Sequence, residues 1–306
     1  MNKSLDVIFT LDGLTNNPKL QLFLFVLFLG IYIFTILGNG GLIFLILKSP
    51  NLQTPMYLFL KHLSFIDMCC TSVIIPRTLS DLLSKEKTIS LLACALQFYF
   101  YGSCFNTEIL LLAAMAYDRY VAICRPLLYY TIMKKEVCYI LICACHIIGF
   151  VDLAIHTRNI FTLSYCNGRQ ISHFYCDALP VLKLSCSDTS MAELVISVIV
   201  GINTAICGLT ITTSYTYIFC TILQIRSAQG RQKTFVTCSS HLFCVGTIFG
   251  TLLYMYMHPN TSYLIEQFKV VSVFYTMGIP MLNPIIYSFR NQDVRKAFMK
   301  LKLLIN

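Results

Sequence analysis

Long runs without a charged residue alternate along this chain with short polar joints. The uncharged runs are Leu22–Leu47, Leu91–Thr107, Val137–Val151, Leu194–Ile225, Thr234–Ile265 and Val270–Phe289. A further stretch, Leu58–Leu83, is apolar apart from Lys61, Asp67, Arg77 and Asp81. Glu108 interrupts the third span, whose apolar character resumes at Ile109. A bilayer core about 30 Å thick is crossed by ~20 helical residues, so the pattern predicts an all-α membrane protein. Its seven-helix bundle forms one domain over 1–306, with spans near 22–47, 58–83, 91–123, 137–157, 194–225, 234–257 and 270–289. Beyond Arg290, residues 293–305 place Val294, Phe298, Leu301 and Ile305 near one helical face. Arg295, Lys296, Lys300 and Lys302 lie largely elsewhere. That predicts a short amphipathic helix lying on anionic lipid.

Composition agrees: 57% of the residues are hydrophobic and 12% charged, against roughly 25% charged in soluble domains. Of the 23 Lys and Arg, 14 fall on one predicted side, from Lys48 and Lys61 to Lys300 and Lys302. Asp118, Glu136 and Asp293 are the acids there. The basic side is expected to be cytoplasmic, which leaves the N-terminus outside in a multi-pass plasma-membrane protein. The net charge of +9 then reflects topology and not nucleic-acid binding. Residues 1–20 have no apolar core of signal-peptide type, so the first helix is expected to serve as signal anchor.

Most of the fifteen cysteines lie within spans and read as small packing residues. Cys94, Cys166, Cys176 and Cys186 fall on the outer, oxidising side, where three pairings are open. Three of them sit in the long loop Arg158–Met191, whose ordering calls for crosslinks. Sequons occur at Asn2 and Asn260, both on the outer side.

No catalytic motif is present: there is no phosphate-binding Gly loop, no His-Glu-x-x-His and no Gly-x-Ser-x-Gly. The informative residues are polar groups within spans, which are costly in lipid and usually functional. Asp67 and Glu108 lie mid-span in the second and third helices. Two carboxylates facing one interior need either a shared proton or a cation between them, and a sodium ion suits oxygen ligands. Asp118-Arg119-Tyr120 ends the third helix, where the permanently charged Arg119 is expected to pair with Asp118. Asn283-Pro284-Ile-Ile-Tyr287 ends the seventh. There Pro284 kinks the helix, Asn283 can serve freed carbonyls and Tyr287 supplies a polar swing point.

The chain resembles the vertebrate odorant receptors of the rhodopsin-like G-protein-coupled receptor superfamily. The resemblance is carried by Gly38-Asn39, by Pro55-Met-Tyr-Leu-Phe-Leu-Lys-His-Leu-Ser-Phe-Ile-Asp67 and by Met115-Ala-Tyr-Asp-Arg-Tyr-Val-Ala-Ile-Cys124 with Pro126-Leu127. It continues through His173-Phe-Tyr-Cys-Asp177, Leu184-Ser-Cys-Ser-Asp188, Ser214-Tyr215 and Lys233-Thr-Phe-Val-Thr-Cys-Ser-Ser-His-Leu242. It closes with Pro280-Met-Leu-Asn-Pro-Ile-Ile-Tyr-Ser-Phe-Arg-Asn291.

The resemblance implies disulfides Cys94–Cys176 and Cys166–Cys186, and a sodium-type site at Asp67 and Glu108. It implies a cytoplasmic switch of Asp118, Arg119, Tyr120, Tyr215, His241, Asn283, Pro284 and Tyr287. The implied partners are a small organic odorant and a heterotrimeric G protein of the stimulatory olfactory type, raising cAMP. The odorant pocket is expected in the outer half of the bundle. Its walls are Tyr101 and Phe105, Ile199 and Asn203, Phe249, Leu252, Leu253 and Tyr256, and Thr276, mostly apolar as small-molecule sites are.

The chain departs from the family where Thr234 and Val236 replace the usual Ala and Ser. Phe249 stands for a customary tyrosine, and His146 for a helix-four tryptophan. An opsin-like reading fails because Val270–Phe289 holds no lysine for a Schiff base, Met277 standing where one is needed. An amine receptor would need a carboxylate in the outer third helix, where Tyr101, Gly102 and Phe105 stand. A transporter would show internal repeats, and none occurs. A non-olfactory chemoreceptor of the same fold is the alternative that remains.

Overall fold

The computed structural model describes residues 7–166, 169–257, 265–289 and 292–305. Seven long helices dominate: α1 (Pro18–Lys48), α2 (Pro55–Leu83), α3 (Leu91–Cys124), α4 (Lys135–Phe161), α5 (Ser190–Gln224), α6 (Ala228–Met257) and α7. The last comprises Ile265–Val273 and Ile279–Phe289, joined by the π-helical turn Phe274–Gly278. A final helix, α8 (Gln292–Ile305), follows. The helices outrun the apolar stretches because capping, and not hydropathy, sets their ends. Pro18 starts α1 behind Asn17, whose Oδ1 accepts from the Lys19 N–H at 3.0 Å. Ser90 caps α3 by accepting from the Ala93 N–H at 3.2 Å. Proline suits the first helical position because its missing N–H is unpaired there anyway.

Five of the helices, α1, α2, α4, α5 and α7, are long and apolar enough to cross a bilayer by length and composition, and α6 carries the shorter apolar run Cys238–Tyr254. The remaining span, α3, holds Gln97, Asn106 and Glu108 and is the hub: it packs on α2, α4, α5 and α6. The most apolar stretches of α1 and α5 are 11% buried, that of α2 56%. The first two therefore present their side chains to lipid, as Leu22, Phe23 and Val26 do. Close approach between helices uses missing side chains. A Cβ on Gly149 would lie 2.3 Å from Thr107 Oγ1, and one on Gly38 would lie 3.2 Å from Pro284 Cγ. Those glycines let α4 seat on α3 and α1 on α7.

One end of the bundle is closed by a lid that hydropathy did not foretell. Strand β1 (Ile8–Leu11) pairs antiparallel with β2 (Thr88–Ser90) and parallel with β3 (Gln170–Ile171), in the order β2-β1-β3. These strands are too short to register as alternation. The disulfide Cys94–Cys176 fastens the α4–α5 loop to α3, with Cα atoms 5.5 Å apart. Cys166–Cys186 closes the loop on itself, with Cα atoms 5.8 Å apart. Under this lid lies a separate core of Phe9, Leu11, Ile89, Ile160, Ile171 and Val181. At the opposite end α8 lies against the bundle through buried Val294, while Phe298 is 61% exposed. That disposition suits a helix resting in an interface.

Candidate functional site

Beneath the lid is an aromatic cluster, the region proposed below as the odorant chamber. Tyr101 and Phe105, one turn apart on α3, stack at 6.2 Å between centroids with 16° between planes. Phe105 meets Tyr275 at 5.6 Å, and Tyr101 meets Tyr175 of the loop at 5.4 Å. The hydroxyls of Tyr175 and Tyr275 bond at 2.6 Å, so the loop reaches down and touches α7 directly. Tyr101 Oη is buried without a hydrogen-bond partner. An unmet buried hydroxyl is costly, and a ligand oxygen would satisfy it. The loop is further pinned by His173, whose Nε2 lies 3.2 Å from Ser272 Oγ and whose ring packs on Tyr175 at 4.4 Å. Burial, then the charge of Lys269, pushes the His173 imidazole down to about 3. His173 is therefore neutral at any physiological pH.

Around this chamber the expected wall residues separate. Phe249 and Leu252 pack on the main core, and Thr276 is buried, its hydroxyl donating to Ser272 O at 2.7 Å. Ile199 is half-buried on α5. Leu253 is turned outward and is 61% exposed. Adjacent helical positions differ by about 100°, so with Leu252 facing inward Leu253 faces lipid, and it leaves the pocket list. The Tyr256 side chain, and the sequon residues Asn2 and Asn260, lie outside the described residues.

Asn203 does something that sequence reading missed. Its Nδ2 donates to Asp152 Oδ2 at 2.6 Å, and Asn106 Nδ2 donates to the same oxygen at 3.1 Å. One carboxylate of α4 thus ties α3 to α5 beside the chamber. The signal was available: Asp152 ends the uncharged run Val137–Val151 and is an acid within a predicted span.

Midway down, Asp67 and Glu108 are fully buried neighbours. Asn283 Nδ2 donates to Asp67 Oδ2 at 2.9 Å, and Cys244 Sγ donates to Asn283 Oδ1 at 3.2 Å. Asn39 Nδ2 donates to the Pro280 carbonyl at 3.0 Å, which ties α1 to α7 above the Pro284 kink. Asp67 Oδ1, Glu108 Oε1 and Asn39 Oδ1 have no partner. Asp67 and Glu108 thus offer two neighbouring unpartnered acceptors, the ligand type a hard cation takes, although among the described residues no cluster of three or more His, Cys, Asp or Glu stands there.

At the opposite end from the lid, His241 of α6 is wholly buried and uses both ring nitrogens. Nε2 lies 3.1 Å from the Leu112 carbonyl and Nδ1 lies 2.8 Å from Tyr215 Oη. A carbonyl can only accept, so Nε2 carries the proton and Nδ1 accepts from the tyrosine. A single neutral imidazole thereby clamps α6 to α3 and α5. Arg119 lies near Tyr215, Cys238, His241 and Tyr287. Its Nε is buried and unpartnered, as is Tyr287 Oη. Tyr120 packs on Tyr217 of α5 at 5.6 Å.

The expected Asp118–Arg119 pair is not formed. Asp118 Oδ1 accepts instead from Tyr129 Oη of the following loop at 2.9 Å, and the ion pair among the described residues is Arg77–Asp81. The reason is elementary: neighbours i and i+1 on a helix do not face each other, whereas i and i+4 do.

Comparison with known proteins places this arrangement. A profile described as olfactory receptor matches residues 28–304. Human olfactory receptor 8D1 is 50% identical over 299 residues, covering 98% of this chain and 97% of that protein. Mouse olfactory receptor 5AP2 is 50% identical over 293 residues, covering 96% and 92%. Among solved structures, squid rhodopsin superposes with a TM-score of 0.72 at 18% identity, covering 93% of this chain and 81% of that one. At that identity the likeness is one of fold.

Proposed function

Since this chain belongs to the olfactory receptor family, a family of multi-pass plasma-membrane receptors and not of enzymes, we propose that it converts odorant binding into activation of a stimulatory olfactory-type G protein, raising cAMP. The lid faces outward, and the end that carries Arg119 and α8 faces the cytoplasm. The excess of Lys and Arg at that end and the disulfides at the other both favour this orientation.

The odorant lies against Tyr101, Phe105, Phe249, Leu252 and Thr276, with Ile199 beside them. It is a neutral, mostly apolar molecule with one hydrogen-bonding group, for which Tyr101 Oη is the available partner. The observation that carries the reading is the cytoplasmic clamp. His241 holds α6 closed with two hydrogen bonds, and Arg119 waits beside it with an unsatisfied Nε. A bundle latched by about two neutral hydrogen bonds, each worth roughly 1 kcal/mol net, lies within reach of a small ligand's differential affinity. Moving such a balance from 1:99 to 99:1 takes about 5.5 kcal/mol. On release, α6 swings outward and Arg119 meets Tyr215, Tyr287 and the G protein, with Tyr120, Asn283 and Pro284 shaping the path. Between the two ends, Asp67 and Glu108 would hold a sodium ion that favours the closed state.

The test is a cAMP assay with an odorant panel in cells that carry the olfactory G protein. Neutral odorants should raise cAMP, and the rise should be lost in Phe105→Ala. Activation by charged compounds alone would refute the assignment of the chamber. A response that is independent of the G protein would refute the coupling.

A further inference from the structure

A cavity of about 590 Å³ opens on the outer face where β1 leads into α1. That volume is in the range of small-molecule sites, yet its chemistry is opposite to that of the aromatic chamber. Among the described residues, Lys85, Lys87 and Lys269 line it, with Asp12 as the acid. That carboxylate is engaged, since Asp12 Oδ1 accepts from Gln170 Nε2 at 2.5 Å.

Lys87 is only 7% exposed. Its ammonium reaches the carbonyls of Asp12 and Thr15 at 3.3 and 3.5 Å and Asn16 Oδ1 at 3.5 Å. Ordinary N–H···O bonds run about 2.7–3.2 Å, so a nearly buried cation is held by three long, neutral contacts. Gly13 makes room for it. Its φ of +71° suits glycine, and a Cβ there would stand 2.8 Å from Lys87 Nζ. Leu11 and Leu14 add an apolar part to the wall.

We propose that this vestibule is a second ligand site, separate from the odorant chamber, and that it takes small organic carboxylates. The carboxylate is bound between Lys85 and Lys87, with Gln170 donating beside them, and a short hydrocarbon tail lies along Leu11 and Leu14. Lys269 lies one turn from Ser272 on α7, on the same helical face, and Ser272 is the residue that holds His173. An anion seated here therefore bears on β1, on the α2–α3 loop and on the lid's anchor to α7 together, and should change how firmly the lid is held.

Purified receptor in phosphatidylcholine nanodiscs, at pH 7.4 and low salt, provides the test. The probes are hexanoate, methyl hexanoate, inorganic phosphate and chloride, and the readouts are the thermal midpoint and saturation-transfer NMR. Hexanoate should raise the midpoint in proportion to its occupancy, with an affinity that falls as ionic strength rises. Lys85→Gln, an exposed position, should weaken it at least threefold. Lys85→Gln with Lys87→Gln should weaken it tenfold or more, and Phe105→Ala should leave it in place. If the double variant does not fold, Lys85→Gln and the transfer contacts to Lys85 and Gln170 decide. Binding that is lost in Phe105→Ala and kept in Lys85→Gln would put the carboxylate in the chamber and overturn the proposal. Equal stabilisation by methyl hexanoate, or by phosphate or chloride, would overturn the assignment to organic carboxylates.

Discussion

The two ends of this bundle are held by different kinds of force. The lid is tied by two disulfides, a three-stranded sheet and a private apolar core. The opposite end has nothing covalent among its described residues and is fastened by hydrogen bonds from Tyr215, His241 and Tyr129. Crosslinks act by restricting the unfolded chain and fix one geometry, whereas single hydrogen bonds can be exchanged at a cost of about 1 kcal/mol. A recogniser needs the first property and a switch needs the second. The contrast is what the roles proposed for the two ends require.

The largest effect should come from removing the covalent tie. Cys94→Ser or Cys176→Ser unfastens the α4–α5 loop from α3 at a cost of about 2–5 kcal/mol. It also leaves the partner cysteine as a free thiol. Surface display measured by flow cytometry should fall to background in both. Normal display and response in both would mean that the sheet alone holds the lid. Next in size is Arg119→Ala, at the other end. Odorant binding should be nearly unchanged while agonist-driven cAMP drops tenfold or more. A well-expressed variant with full agonist response would remove Arg119 from the switch.

The sequence revealed the spans more readily than the ends. Apolar length locates a helix within lipid, and long helices are present where the apolar stretches lie, while α8 follows from the amphipathic spacing of residues 293–305. What it could not convey is how side chains pair across helices. Asp118 and Arg119 are adjacent in sequence and look like partners, yet the helical turn separates them and gives Asp118 to Tyr129. Asn203 reads as a pocket polar group, yet it is spent on Asp152. Leu253 reads like its neighbour Leu252, yet faces outward. The sheet went unread because strands of two to four residues leave too little alternation to detect. Asp67, Glu108 and Tyr287 stood out as polar groups within spans, His241 came only from the family resemblance, and the structure adds buried, unpaired oxygens on Asp67, Glu108 and Tyr287.

Smaller changes at the cytoplasmic end sharpen the comparison. His241→Phe keeps the ring volume and deletes both clamp bonds, so basal cAMP without odorant should rise about tenfold, as expected for ~1–2 kcal/mol removed from the closed state. Unchanged basal cAMP in a variant at normal surface level would show that the clamp does not restrain α6. Tyr129→Phe deletes one bond to Asp118 and should raise basal signalling only two- to fivefold. A Tyr129→Phe effect as large as that of His241→Phe would move the restraint from α6 to the loop.

The smallest effect should be one of pH, and at the lid it should run through His173. His173 is held down to about 3, first by burial and then by Lys269, whereas an unfolded histidine titrates near 6.5. Below about pH 6.5 the unfolded loop gains a proton that the docked loop refuses. The lid's stability is thus fully present above 6.5 and declines as pH falls from there toward 3. Between pH 7.4 and 5.5 the loss should be about 1 kcal/mol, too little to open a disulfide-tied lid but enough to speed backbone hydrogen exchange in residues 170–177. Exchange rates there, corrected for the intrinsic effect of pH, should rise severalfold at pH 5.5. His173→Gln cannot take up the proton and should erase the rise. A pH response of equal size in His173→Gln would mean that another group drives it. A response confined to the cytoplasmic end would break the division of labour between the two ends.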